Sequence, residues 1–154
     1  KMKYLKTEEQ LLEKESGIYK VSTANQQILI NLALKNMLQL DKTTTMKQIQ
    51  KSIISQHSYV YSISFKASDS KQLKSFVCFR LILEYKLKTL YVFEFHTDYA
   101  FQKQGLGKEM MNKMYTLSQK LNLDCISLTV LKNNSNALRF YRSFGFLNAE
   151  WSPT

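Results

Sequence analysis

Gln102-Lys103-Gln104-Gly105-Leu106-Gly107-Lys108 is the stretch on which the fold turns. Immediately before it, Thr89 to Thr97 is rich in β-branched and aromatic residues and reads as a strand. Immediately after it, Leu106, Met110, Met114 and Leu117 recur at helical spacing and predict an amphipathic helix from Gly105 to about Asn122. A strand that runs through a glycine turn into a helix presents unpaired N–H groups, and the positive end of the helix dipole, to whatever lies in front of it. Glycines let a ligand come close to the backbone, and Lys103 and Lys108 add charge. The combination suits a pyrophosphate. On these residues alone a plain glycine turn explains the pattern equally well.

Working outward toward the N-terminus, Phe76 to Tyr85 predicts another strand, joined to Thr89–Thr97 by a tight connection near Lys86. Tyr59, Tyr61, Ile63 and Phe65 alternate with Val60, Ser62 and Ser64, which is the period of a strand, and Ser68 to Lys71 reads as a turn. These runs are expected to form antiparallel hairpins. Further upstream the period becomes helical. A helix is expected from about Asn25 to Leu40, a break at Asp41 to Thr45, and a short second helix marked by Met46, Ile49 and Ile53. Gly17 to Val21 reads as a short strand after a basic start. Toward the C-terminus, Cys125 to Leu131 is strand-like, and Ser135 to Ser143 predicts a last helix before Gly145. Helices, then a strand meander, then strand–helix–strand–helix describe a mixed α/β (α+β) fold.

The 154 residues, with Pro153 as the only proline and four glycines, are expected to form one domain spanning 1–154. No apolar run reaches the roughly 18 residues a membrane helix needs, so no membrane span is expected. Cys78 and Cys125 sit in apolar stretches, which suits reduced, buried thiols in a cytoplasmic or nuclear protein. No metal site is expected. The net charge of +10 implies attraction to polyanions such as cofactor phosphates or a ribosome. The lysines form no long block and no recognition motif accompanies them, so specific DNA binding is not expected.

The second decisive stretch is Asn133-Asn134-Ser135-Asn136-Ala137-Leu138-Arg139-Phe140-Tyr141-Arg142-Ser143-Phe144-Gly145-Phe146. It contains N-x-x-A-x-x-F-Y-x-x-x-G-F, and it follows Q-x-x-G-x-G in the same order and at a similar distance as in the GNAT acetyltransferase superfamily, which the chain resembles. The resemblance implies a central twisted mixed β-sheet flanked by helices, acetyl-coenzyme A as cofactor, and acetyl transfer to an amine. It implies that the backbone of Phe95, His96 and Thr97 pairs with the pantetheine arm, and that Gln102, Lys103, Gln104, Gly105, Leu106, Gly107 and Lys108 hold the pyrophosphate. It also implies that Asn134 contacts the cofactor and that Tyr141 stands near the departing thiolate. A tyrosine hydroxyl can give that sulfur a proton; its alternative role is core packing.

The amine must be neutral to attack, so a base is needed. Glu94, in Tyr91-Val92-Phe93-Glu94-Phe95-His96, is the favoured candidate. His96 is the rival, since imidazole titrates near neutrality and the two share one face of a strand. His57 reads as a loop residue.

Within the superfamily the chain is similar to the N-terminal acetyltransferases, diffusely over residues 28–154, through Tyr59–Ser64, Phe76–Arg80 with Glu84, Leu90–Glu94, Leu128–Lys132 and Trp151–Thr154. The NatD type, which acetylates histone N-termini, is the nearest likeness, while Tyr141 and the Phe-Gly-Phe ending look closer to the NatE type. Tyr91, Phe93, Glu94 and Tyr59 are expected to line the acceptor entrance. NatD has an acidic residue where Ile82 stands and a tyrosine where Phe93 stands. A histone tail would also need a groove made acidic by Glu84, Glu94 and Asp98, whereas a basic outer surface suits ribosome docking and nascent chains. Lysine or polyamine acetylation and a non-catalytic cofactor-binding subunit are the alternatives. Acidic residues around a wide groove favour the former; aromatic residues at a closed entrance favour N-termini. Oligomeric state is not legible.

Overall fold

Phe76 to Phe79, Leu81 and Ile82 are all buried, so the centre of the chain forms a strand covered on both faces. The computed structural model describes residues 2–23, 26–64 and 73–149. Asn25, Phe65, the Ser68–Lys71 turn and Trp151–Thr154 lie outside the described residues. Strands β1 (Lys3–Tyr4), β2 (Ile18–Lys20), β3 (Tyr59–Ser64), β4 (Leu73–Glu84), β5 (Leu87–Thr97) and β6 (Cys125–Leu128) form one six-stranded sheet in the order β2-β3-β4-β5-β6, with β1 paired to the far end of β4. All pairs are antiparallel except β5–β6, which is parallel and requires a crossover. Helix α4 (Leu106–Lys120) is that crossover. The mixed α/β sheet expected from the sequence is therefore present.

One face is covered by α4 and by α1 (Lys6–Leu12). There Met110, Met114, Leu117 and Leu12 pack on Val77, Phe79, Leu81, Leu90 and Val92. The other face is covered by α2 (Gln26–Leu40) and α3 (Met46–Ile53). There Leu29, Ile30, Ala33, Ile49 and Ile53 pack on Val60, Phe76 and Cys78. Thr45 and Gln48 close a reciprocal capping box that starts α3 at the residue where the apolar period predicts it. Helix α5 (Ser135–Ser143) follows β6 and packs near the end of β5.

Several boundaries differ from the sequence reading. Helix α1 and strand β1 were not expected: α1 is seven residues long and has no capping side chain, and β1 exists only through its pairing with β4. The β4–β5 connection is a two-residue turn in which Tyr85 (φ 49°) and Lys86 (φ 64°) both take the left-handed conformation that such hairpins require. Strand β6 ends at Leu128 rather than Leu131, because its ladder with β5 stops at the Val92–Leu128 pair.

Candidate active site

Two irregularities in β5 make the site. Its ladder with β6 stops at Val92 although the strand continues to Thr97, so beyond Val92 that edge of β5 has no strand partner among the described residues. At the same level β5 carries a bulge: Cys78 pairs with Glu94 and Phe79 with Val92, leaving Phe93 as the extra residue. The bulge resets the alternation. Tyr91, Phe93, Glu94 and His96 all project to the α2/α3 side, whereas Val92 and Phe95 project to the α4/α5 side.

On the α2/α3 side Glu94 is held at both oxygens. The Ser52 hydroxyl on α3 donates to Oε1 at 2.9 Å. His96 Nε2 lies 2.5 Å from Oε2, and in the Nε2–H tautomer the imidazole donates to that oxygen. His96 is itself buried against Phe76, with ring centroids 5.5 Å apart. The Cys78 thiol lies opposite Glu94 in the ladder, and burial, followed by the nearby Glu94 charge, raises its pKa well above the usual thiol value. It stays neutral and is no nucleophile. The Arg80 guanidinium lies 4.0 Å from the Phe93 ring centroid, donates to the Ser52 carbonyl at 2.8 Å, and reaches the Ser58 hydroxyl at 3.2 Å. The Tyr91 hydroxyl meets that of Thr129 at 3.3 Å, just past the end of β6.

On the α4/α5 side Tyr141 stands edge-on to Phe95 (6.0 Å), Phe140 (5.3 Å) and Phe146 (5.7 Å). Burial pushes its phenol far above the ordinary tyrosine pKa, so the hydroxyl keeps its proton. The glycine loop follows a 3₁₀ turn at Tyr99–Phe101, capped by the Asp98 carboxylate on the Ala100 N–H at 3.0 Å. Lys103 (φ 62°) and Gly105 (φ 80°) both take left-handed conformations, and Gly105 caps α4 without any side-chain bond to the first turn. A Cβ on Gly105 would have nothing within 4 Å, so open space lies beside the residue that starts α4, where a helix leaves its first N–H groups unpaired. These groups suit a pyrophosphate.

Other expected site residues are placed as follows. Asn134 is the N-cap of α5: its Oδ1 accepts from the Ala137 N–H at 3.2 Å, which leaves its amide N–H₂ for a ligand. The Thr97 carbonyl already accepts from Asn36 Nδ2 (3.0 Å) and Gln102 Nε2 (3.3 Å), so it is committed within the chain. Lys103, Gln104 and Lys108 are exposed around the loop. Tyr59 requires a correction. It is 2% exposed and packs on Phe79 in the α4-side core, on the opposite face from Glu94, and so cannot line an entrance with Tyr91 and Phe93. His57, read as a plain loop residue, stacks on Tyr4 at 3.7 Å and binds Glu9 at 3.1 Å, which anchors the N-terminal segment. Ile82 is buried. Glu84, Glu94 and Asp98 do not share a groove: Glu84 is at the hairpin end of β4, about 20 Å along the strand at ~3.3 Å per residue, and Asp98 pairs with Lys35 at 3.5 Å. Ser52 and Arg80 were missed as site residues. No cluster of three metal-ligating side chains and no helix long and apolar enough to cross a membrane occurs among the described residues.

Residues 11–146 match the sequence profile of the acetyltransferase (GNAT) family. Among solved structures, an aminoglycoside acetyltransferase from an uncultured soil metagenomic sample is 15% identical with a TM-score of 0.65, the match covering 89% of this chain and 90% of that one. A ribosomal-protein-alanine N-acetyltransferase from Brucella melitensis is 11% identical with a TM-score of 0.62, covering 89% and 93%. A protein from Bacillus halodurans, crystallised as a tetramutant, is 18% identical with a TM-score of 0.65, covering 89% and 97%. At these identities the likeness is one of fold.

Proposed function

The chain belongs to the GNAT acetyltransferase family, acetyl-coenzyme A-dependent N-acetyltransferases, and on that premise we propose that it acetylates the α-amine at a protein N-terminus, with Glu94 as the base and Tyr141 as the acid. The observation that carries this reading is the bulge at Phe93, which brings Phe93 onto the same face of β5 as Glu94 beside the unpaired edge, while Phe95 stays on the opposite face. An acceptor reaching the gap from the α2/α3 side meets Tyr91, Phe93 and Glu94. A cofactor lying on the α4/α5 side meets Tyr141 and the glycine loop.

Acetyl-coenzyme A, when bound, supplies an acetyl group activated as a thioester. First-turn N–H groups of α4, with Lys103 and Lys108, would hold its pyrophosphate, and the open edge at Phe95 and His96 would offer backbone groups to its amide arm. Glu94 would take a proton from the acceptor ammonium, directly or through water, freeing the nitrogen lone pair for attack on the thioester. Tyr141 would supply its phenolic proton to the thiolate that leaves.

An N-terminal amine is preferred to a polyamine or lysine-rich acceptor because the described carboxylates do not gather at the entrance, while the Arg80 cation lies over Phe93. The same features disfavour a basic histone start. The reading favours neutral starts and, with a net charge of +10, nascent chains at a ribosome in the cytoplasm. It treats residues 1–154 as one domain.

The test is acetyl-coenzyme A turnover on peptides with histone-like Ser-Gly-Arg-Gly starts and Met-initiated starts, each with free and blocked N-termini. Activity that vanishes on blocking supports the reading. Activity that persists on blocked, lysine-containing peptides moves the assignment to side chains, and a preference for the histone start restores the NatD likeness.

A further inference from the structure

We propose that Ser52, in the last turn of α3, is a positioning residue that aims the Glu94 carboxylate at the acceptor amine. The inference rests on Glu94 being the base. Ser52 and Glu94 are 42 residues apart in sequence, and their 2.9 Å hydrogen bond ties the helical layer directly to the bulged strand.

A glutamate side chain has three rotatable bonds, and Glu94 directly follows the extra residue of the bulge. Two donors remove that freedom. The Ser52 hydroxyl takes Oε1 and the His96 Nε2–H takes Oε2, so the carboxylate plane is set by one group from another layer and one from its own strand. Each carboxylate oxygen has two acceptor sites, so this leaves one on each oxygen for the incoming amine or its water. His96 alone would fix one oxygen and let the other swing.

Ser52 is in turn held without using its hydroxyl. Arg80 Nη2 grips its backbone carbonyl at 2.8 Å while the guanidinium rests on Phe93 and reaches Ser58. Ile53, next in sequence, is fully buried. Removing the hydroxyl therefore leaves α3 anchored, and this makes the role separable from folding. The ionisable groups recorded against Glu94 are His96 on β5 and, opposite it in the ladder, Cys78 on β4; from α3 it is the uncharged Ser52 that meets it.

The experiment compares wild type, Ser52→Ala, Ser52→Thr and Glu94→Gln for kcat, KM for acetyl-coenzyme A and thermal midpoint, with an N-terminal peptide as acceptor. A lost hydrogen bond to a charged group corresponds to roughly a tenfold effect or more. Ser52→Ala is expected to lower kcat about tenfold with an unchanged KM for acetyl-coenzyme A, alongside a lower midpoint from the carboxylate left short of a donor, and Ser52→Thr, which keeps the hydroxyl, to restore most of both losses. Wild-type kcat in Ser52→Ala, with Glu94→Gln inactive, overturns the positioning role and leaves the base in place. Equal losses in the Ala and Thr variants, tracking a fall in midpoint, overturn it as merely structural. Full activity in Glu94→Gln overturns the base assignment and the positioning role together.

Discussion

Phe140 lies across the first turn of α4 at Gly107: a Cβ on that glycine would meet the ring Cζ at 3.1 Å and Cε1 at 3.2 Å. The two sequence motifs are thus in physical contact. The ring is confined by Tyr141 (5.3 Å), Phe144 (5.1 Å) and Phe95 (6.0 Å), so it has little room to retreat. The second glycine of the loop lets α4 approach α5, whereas the first, Gly105, supplies a backbone conformation.

Gly107→Ala should therefore destabilise the protein. Overpacking costs about 1–3 kcal/mol, and the better helix propensity of alanine offsets at most ~1 kcal/mol of it. Urea denaturation should show a lower midpoint for Gly107→Ala and a still lower one for Gly107→Val. A midpoint at or above wild type would mean that the Phe140 ring yields and that the glycine is not needed for packing.

Gly105 should behave differently, because its Cβ would meet nothing within 4 Å while its φ of 80° disfavours other residues. Gly105→Ala should cost about 1–2 kcal/mol from the left-handed backbone alone, and Gly105→Asn less, since asparagine tolerates that region. Gly105→Glu should fold but lose measurable coenzyme A affinity in calorimetry, because a carboxylate would stand where the phosphates belong. Retained affinity would remove the loop from the cofactor site.

Helical segments were legible because their signals are local. Met46, Ile49 and Ile53 carry the period of α3, and Ser135–Ser143 is bounded by its own cap and a glycine. What escaped depends on partners. The run Cys125–Leu131 is strand-like throughout, yet β6 stops at Leu128, where its ladder with β5 ends at the Val92–Leu128 pair. Simple alternation in Tyr91–His96 puts Phe93 and Phe95 on one side and Glu94 on the other. The bulge moves Phe93 to the Glu94 side and leaves Phe95 opposite, and no residue type in that stretch announces it. Tyr59 was misplaced by counting aromatics without a face to assign them to, and Ser52 was invisible because its partner is on another layer.

Tyr141→Phe separates chemistry from packing. No hydrogen bond to the hydroxyl occurs among the described residues, so its removal breaks none within the fold. Thermal unfolding should show an unchanged or raised midpoint, and kcat should fall by about 10²-fold if the phenol protonates the leaving sulfur. Unchanged kcat would reduce Tyr141 to a packing residue among Phe95, Phe140 and Phe146.

Buried phenols should also make the fold sensitive to alkali. Burial, and secondarily the charges of Glu9 and Glu13, push the Tyr59 pKa from 10.0 up to about 12. The folded protein then keeps a proton that the unfolded chain releases above pH 10, so the unfolded state binds fewer protons and stability falls as pH rises. The contribution is complete below about pH 10 and is lost as pH passes from there toward 12. Urea midpoints measured at intervals from pH 8 to pH 11.5 should decline for wild type beyond pH 10 and decline less steeply for Tyr59→Phe, the offset between the two curves staying constant below it. Parallel curves across that window would mean that Tyr59 ionises as readily in the folded chain as in the unfolded one, and that the alkaline loss comes from other groups.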